Sequence, residues 1–175
     1  MTPAELKEKI RTVPDFPEKG VLFRDITTLL KDGAAFAAAI DLMVAHYREM
    51  PLEAVVAVES RGFIFGAPLA NRLGLSFIPV RKFGKLPAST ARIAYELEYG
   101  RETLEIHRDA ISAGLRTVIV DDLLATGGTS LATAELVQSL GGIVVELAFL
   151  VELSYLKGRE KLRDYRVFSL IQYDN

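Results

Sequence analysis

Cysteine is absent from the 175 residues, which excludes disulfides, thiolate metal sites and thiol catalysis. Tryptophan is absent too, and histidine occurs only at His46 and His107. Two histidines far apart, with no cysteine beside either, argue against a structural zinc site. A basic surplus is also missing: 21 Lys and Arg stand against 23 Asp and Glu, for a formal net charge of −2. General binders of nucleic acid or membrane surfaces need that surplus to neutralise phosphates, so neither partner is expected. No apolar run is long enough to span a bilayer, and the best candidate, residues 143–151, is broken by Glu146. The opening Met-Thr-Pro-Ala-Glu-Leu-Lys-Glu-Lys-Ile is charged and lacks the apolar centre of a signal peptide. The expected compartment is therefore the cytoplasm. Neither a Walker phosphate loop nor a Gly-x-Gly-x-x-Gly fingerprint occurs, which counts against an ATP-driven phosphotransferase and a nicotinamide dehydrogenase.

What is present reads as one α/β domain over residues 1–175, with no repeat and no linker-like stretch. Apolar β-branched runs at residues 54–58, 77–80, 117–120, 143–150 and 168–171 predict five strands. Pro79 should place the second at a sheet edge or strand end, because proline has no N–H to give the ladder. Helical patterns fall between the runs, at residues 62–73 and 130–140, where Leu131, Ala134, Val137 and Leu140 share a face. An earlier helix over residues 33–49 carries Phe36, Ile40, Val44 and Tyr47 on one side. Continuous apolar strands separated by helices imply a mostly parallel sheet covered on both faces, with ligands at the strands' carboxyl ends.

The richest strand end is Val118-Ile119-Val120-Asp121-Asp122-Leu123-Leu124-Ala125-Thr126-Gly127-Gly128-Thr129-Ser130. Residues 125–129 lack bulk, so backbone N–H groups can close around an anion, and Thr126 and Thr129 add hydroxyl donors. The helix that follows presents its positive dipole end. This is a phosphate cradle in physical terms. Asp121 and Asp122 would repel phosphate unless they face something neutral or cationic, such as sugar hydroxyls or a developing positive charge. The plainer alternative is that one caps the turn and the other is solvated. A second feature is basic: residues 71–93 hold Arg72, Arg81, Lys82, Lys85 and Arg92 and no acid. Arg81, Lys82 and Lys85 follow a strand end directly, and Ser60-Arg61-Gly62 makes a similar turn between a strand and a helix. Residues 91–99 and 103–106 alternate like a two-stranded ribbon around Gly100, a unit of marginal stability by itself.

The stretch from Val118 to Thr129 resembles the PRPP (5-phosphoribosyl 1-pyrophosphate) motif of the type I phosphoribosyltransferases. Further matches are similar to the adenine-using branch of that family. These are Asp15-Phe16-Pro17, residues 20–30, Glu59-Ser60-Arg61-Gly62-Phe63, Arg81-Lys82-Phe83-Gly84-Lys85-Leu86-Pro87, Leu97-Glu98-Tyr99-Gly100 and Leu104-Glu105-Ile106. They cover nearly the whole chain in the family's order; Phe83 departs from it, standing where proline is frequent. The resemblance implies the type I fold: a mostly parallel sheet with helices on both faces, an N-terminal hood over about residues 1–32, and a mobile ribbon lid over about residues 83–108. It implies transfer of the phosphoribosyl group of PRPP to adenine N9, giving AMP and pyrophosphate.

The residue roles it implies are specific. Ala125, Thr126, Gly127, Gly128 and Thr129 would hold the 5-phosphate, and Asp121 and Asp122 the ribose hydroxyls. Ser60, Arg61, Arg81, Lys82 and Lys85 would contact pyrophosphate. Backbone groups of Leu22 and Arg24 would read the adenine edge, with the ring between the side chains of Phe23 and Leu153. Glu98 would handle the proton at the base, and Tyr99 would line the site. Magnesium is expected as a PRPP-bound ion held mainly by substrate oxygens and water, without a dedicated protein cage. The resemblance also implies a homodimer.

Overall fold

The computed structural model describes residues 1–97 and 100–175. Its first helix, α1 (Pro3–Glu8), starts at Thr2, whose hydroxyl accepts from the Glu5 N–H while the Glu5 carboxylate accepts from the Thr2 N–H. A hairpin of β1 (Arg11–Pro14) and β2 (Leu22–Asp25) follows, then α2 (Thr27–Leu30) and α3 (Gly33–Tyr47). The alternating core comprises β3 (Ala54–Val58), α4 (Arg61–Leu73), β4 (Ser76–Lys82), β5 (Thr90–Leu97), β6 (Gly100–His107), β7 (Arg116–Leu124), α5 (Gly128–Ser139) and β8 (Ile143–Leu153). A short 3-10 turn, α6 (Gly158–Lys161) and β9 (Val167–Tyr173) complete the chain.

Seven strands form one mixed sheet in the order β5-β6-β4-β3-β7-β8-β9. The five from β4 to β9 in that order are parallel, as the apolar runs predict, and β5 with β6 adds an antiparallel ribbon. Every residue of β3 is buried because the sheet is covered twice. Val55 and Ala57 pack with α3 and α4, whereas Ala54, Val56 and Val58 pack with α5. That split is the two-residue period of a strand expressed in a three-layer fold.

Pro79 sits where its missing N–H costs no ladder bond. The Ser76 N–H donates to the Glu53 carbonyl and the Val80 carbonyl accepts from the Glu59 N–H, so the even residues of β4 face β3. Pro79 faces the other side, and there β6 pairs only at Arg81 and Lys82. The strand is interior by order but is an edge at the proline.

Two strands outrun their sequence-based ends. β7 continues through the acids to Leu124, and β8 to Leu153, because each supplies the other's partners as far as Leu124 opposite Glu152. Helix α4 lies close on the sheet through Gly66, where a Cβ would come within 2.6 Å of the Ala57 Cβ. Gly66→Ala gains about 1 kcal/mol in helix propensity but overpacks this contact. A net loss of about 1–2 kcal/mol is expected, measured as a lower urea midpoint at unchanged slope.

Candidate active site

Strand order reverses between β3 and β7. The connection from β3 to β4 runs through α4 on one face, and that from β7 to β8 runs through α5 on the other. The two carboxyl ends therefore open a crevice, the place where such sheets take ligands. A cleft of about 1100 Å³ lies there, joined to a smaller one of about 620 Å³ through Arg61, Asp121, Asp122 and Thr129.

The larger cleft brings together Leu22, Phe23 and Arg24 from the hairpin, Ala125 to Thr129, and Leu153 at the end of β8. Phe23 is braced edge-on by Phe16, with ring centroids 5.1 Å apart. The Arg24 guanidinium is engaged elsewhere: it donates to the Thr12 hydroxyl at 2.7 Å and the Asn175 carbonyl at 2.5 Å, and it lies over the Tyr173 ring.

The cradle has a definite cause. Gly127 has φ +85°, a left-handed conformation that disfavours a side chain, and a Cβ there would stand 2.9 Å from the Gly158 carbonyl. Helix α5 starts one residue later with neither a side-chain cap nor an acid in its first turn. Its leading N–H groups thus present partial positive charge toward the cleft. The ribbon is docked on this turn. The Tyr95 hydroxyl is 3.0 Å from the Thr129 hydroxyl and donates to Glu102 at 3.0 Å, while burial pushes its phenol up to about 12.

The acid pair sits under electrostatic stress. The Asp122 N–H donates to Asp121 Oδ1 at 2.9 Å, and Asp122 Oδ2 is 2.9 Å from Arg61 Nε. Burial, then the charge of Asp122, raises the Asp121 carboxyl well above its ordinary value. Burial raises Asp122 as well, against the pull of Arg61. Gly62 has a packing role here. A Cβ on it would come within 2.9 Å of the Val120 carbonyl and 3.1 Å of Asp121 Oδ1, so it lets α4 close onto β7 beside the acids.

The smaller cleft takes Glu59, Ser60, Arg61 and Lys82. The Lys82 ammonium is held by Glu102 at 2.7 Å, a bond that raises its pKa. Arg81 and Lys85 do not line either cleft. Arg81 instead bonds Glu59 at 3.1 Å and the Lys85 carbonyl at 3.2 Å. Burial opposes charge on Glu59, but the Lys82 N–H, at 2.5 Å, and the Arg81 guanidinium hold its carboxyl below the ordinary range. Glu98 and Tyr99 lie outside the described residues. Among the described residues no group of three or more metal-binding side chains occurs.

Sequence reasoning missed the supports. Glu59 as the acid that organises the basic turn, Tyr95 as the ribbon's anchor and Gly158 behind the cradle all act through tertiary neighbours. Only Gly158 carried a local signal, as a small residue in the turn after a long strand.

The chain matches the phosphoribosyl transferase domain family over residues 25–175. It is 59% identical over 168 residues to the adenine phosphoribosyltransferase of Acidobacterium capsulatum, covering 96% of this chain and 93% of that one. The crystal structure of adenine phosphoribosyltransferase from Thermoanaerobacter pseudethanolicus superposes with a TM-score of 0.94 at 55% identity, over 98% of this chain and 100% of the other. The Saccharomyces cerevisiae adenine phosphoribosyltransferase, complexed with an imino-altritol bisphosphate and adenine, superposes with a TM-score of 0.92 at 42% identity, over 97% and 98% of the two chains.

Proposed function

The chain belongs to the adenine phosphoribosyltransferases of the phosphoribosyl transferase family, and on that premise we propose how its own residues carry the phosphoribosyl group of PRPP to adenine N9. One observation supports the assignment of roles above all others: a single cleft joins a small-residue cradle, two adjacent acids and an apolar slot. The cradle, Ala125 to Thr129, holds the 5-phosphate on the N–H groups that open α5. Asp121 and Asp122 accept from the ribose hydroxyls. Their negative charge favours the positive charge that builds at C1 as pyrophosphate departs.

Ser60, Arg61 and Lys82 bind the departing pyrophosphate from the smaller cleft, with Arg81 and Lys85 shaping the turn behind. Adenine lies between Phe23 and Leu153, and backbone groups of Leu22 and Arg24 read its edge. A carbonyl that accepts from the 6-amino group would oppose the 6-oxo oxygen of hypoxanthine, leaving two acceptors face to face. The β5–β6 ribbon excludes water that would otherwise capture the ribose. Glu98 takes up the proton exchanged at the base as N9 bonds to C1.

Magnesium fits this donor set. The carboxylates of Asp121 and Asp122 are hard oxygen ligands side by side in the cleft, and they would hold a PRPP-bound ion through its water shell. The chemistry it supplies when bound is neutralisation of the pyrophosphate's charge. A cytoplasmic homodimer belongs to the same proposal, carried by the family resemblance, and analytical ultracentrifugation tests the pairing.

The decisive assay follows AMP and pyrophosphate formation from PRPP with a panel of bases, with and without magnesium. Equimolar AMP and pyrophosphate with adenine, lost on chelation, is the expected result; preference for another base overturns the adenine slot. Glu98→Gln is expected to lower kcat by about 100-fold while PRPP affinity stays within about twofold. Equal turnover in variant and parent removes Glu98 from the mechanism.

A further inference from the structure

Two cationic side chains line the smaller cleft among the described residues, and an acid of the chain already holds each of them. Arg61 is bonded to Asp122 at 2.9 Å, and Lys82 to Glu102 at 2.7 Å. With Glu59 and Asp121, four carboxylates stand against two cations in this cleft. An anion that enters must contend with acids already in place.

The position of Glu102 follows from the register of the ribbon. Strand β6 sends Glu102 and Leu104 to one side, two residues apart, and both line the cleft. Leu104 stands opposite Lys82, so Glu102 is the diagonal neighbour of Lys82, within reach of a long side chain. Tyr95 stands directly opposite Glu102 on β5, and its phenol donates to the same carboxylate at 3.0 Å. The acid is thus held from two sides. Asp122, the partner of Arg61, belongs to the main sheet, whereas Glu102 belongs to the ribbon. The Lys82 side chain is 58% exposed, and pairs this open to water contribute only a factor of about two to five. Such a bond is weak enough to be exchanged for another. An ammonium carries three N–H donors, but two anions crowded on one cation repel, so the second gains less than it would alone.

We propose that Glu102 is a positioning residue that competes with pyrophosphate for Lys82, yielding the ammonium when the leaving group is bound and reclaiming it as pyrophosphate departs. The inference rests on the reading of the smaller cleft as the pyrophosphate site. It adds an acid that holds affinity for the leaving group below what a free Lys82 would give, and so favours release. A merely structural Glu102 predicts the opposite sign. Its loss would loosen the ribbon and weaken pyrophosphate.

The test is affinity for pyrophosphate, read as product inhibition of AMP synthesis and as KM for pyrophosphate in the reverse reaction with AMP. Glu102→Gln should bind pyrophosphate about two- to fivefold more tightly, with KM for AMP within about twofold. Glu102→Ala should move pyrophosphate in the same direction, and it stands in if the glutamine variant does not fold. In a Lys82→Met background the gain from Glu102→Gln should shrink below about 1.5-fold, because the lysine under competition is gone. Unchanged or weaker pyrophosphate binding in the folded variant overturns the proposal. An equal gain with and without Lys82 overturns it too, since Glu102 is then only a general repulsive charge. Pyrophosphate that neither inhibits the wild-type protein nor supports the reverse reaction removes the reading of the cleft and this inference with it. Normal inhibition of the wild type with no gain in the variant removes the role of Glu102 alone.

Discussion

Gly158→Ala is expected to raise KM for PRPP by about tenfold or more and to lower stability by about 1–3 kcal/mol, the usual range for overpacking. The added methyl meets the Ala125 carbonyl and Leu124 Cδ1, and neither is the loose end of a flexible side chain. Something must move: either the cradle loop shifts off its helix, or α6 lifts and strains the two bonds from Arg159 to the buried Glu152 carboxylate. Both routes disturb the phosphate cradle while leaving the apolar slot between Phe23 and Leu153 in place. PRPP kinetics should therefore suffer much more than adenine binding. For a chain of this size the stability loss corresponds to a drop of about 2–10 °C in Tm. Gly33→Ala is the matched control, because a Cβ at that helix start meets nothing within 4 Å. Its effect should stay within about 0.5 kcal/mol. Steady-state kinetics with each substrate varied, alongside thermal melts, checks both expectations.

Asp121→Asn should make the ligand-free protein more stable while reducing kcat/KM by about 100-fold or more. The carboxylate is buried beside a second one, and both effects raise its pKa. An acid whose folded-state pKa lies above the ordinary 3.8 binds its proton more tightly in the folded chain than in the unfolded one. The charged form is therefore a penalty on folding that is fully present above the folded-state pKa. That penalty declines as pH falls through the folded-state value toward the unfolded one. Asparagine removes it and still accepts the Asp122 N–H, and Arg61 keeps its bond to Asp122. The variant should melt above the wild type at neutral pH and lose the part of its Tm–pH profile that this group causes. A variant that melts at or below the wild-type temperature at neutral pH would show that the pair is not strained. Melting curves from pH 5 to pH 8, set beside activity, separate the two effects.

How much of this was legible in the sequence depends on how local each determinant is. The apolar runs at residues 54–58 and 117–120 declared themselves as doubly buried strands because no residue in either is charged. Small residues at 125–129 announced a cradle because few other structures need five consecutive positions without bulk. Pro79 was legible only locally: its missing N–H faces a side without a ladder partner, but its strand is interior to the sheet and not at an edge. Partnerships made across the fold were not legible. Arg81 reads as a pyrophosphate donor, and the Glu59 carboxylate that its guanidinium bonds becomes visible only once β3 and β4 lie side by side. Gly62 reads only as part of a strand-to-helix turn, and its packing role appears once the fold places the β7 backbone against it. The ends of β7 and β8 were underestimated for the same reason: each extends because the other does.

The ribbon joins the main sheet at Arg81 opposite Glu105 and Lys82 opposite Leu104, and the Phe83 N–H continues the junction to the Thr103 carbonyl at 3.0 Å. Those steps are also the basic turn itself. A flap stitched at the residues proposed to hold the leaving group does not swing independently of them. Lifting it tugs the Lys82 ammonium away through Glu102 and slackens the Arg81–Glu59 brace in one stroke. On the proposed roles, uncovering the pocket and letting go of pyrophosphate form a single mechanical event.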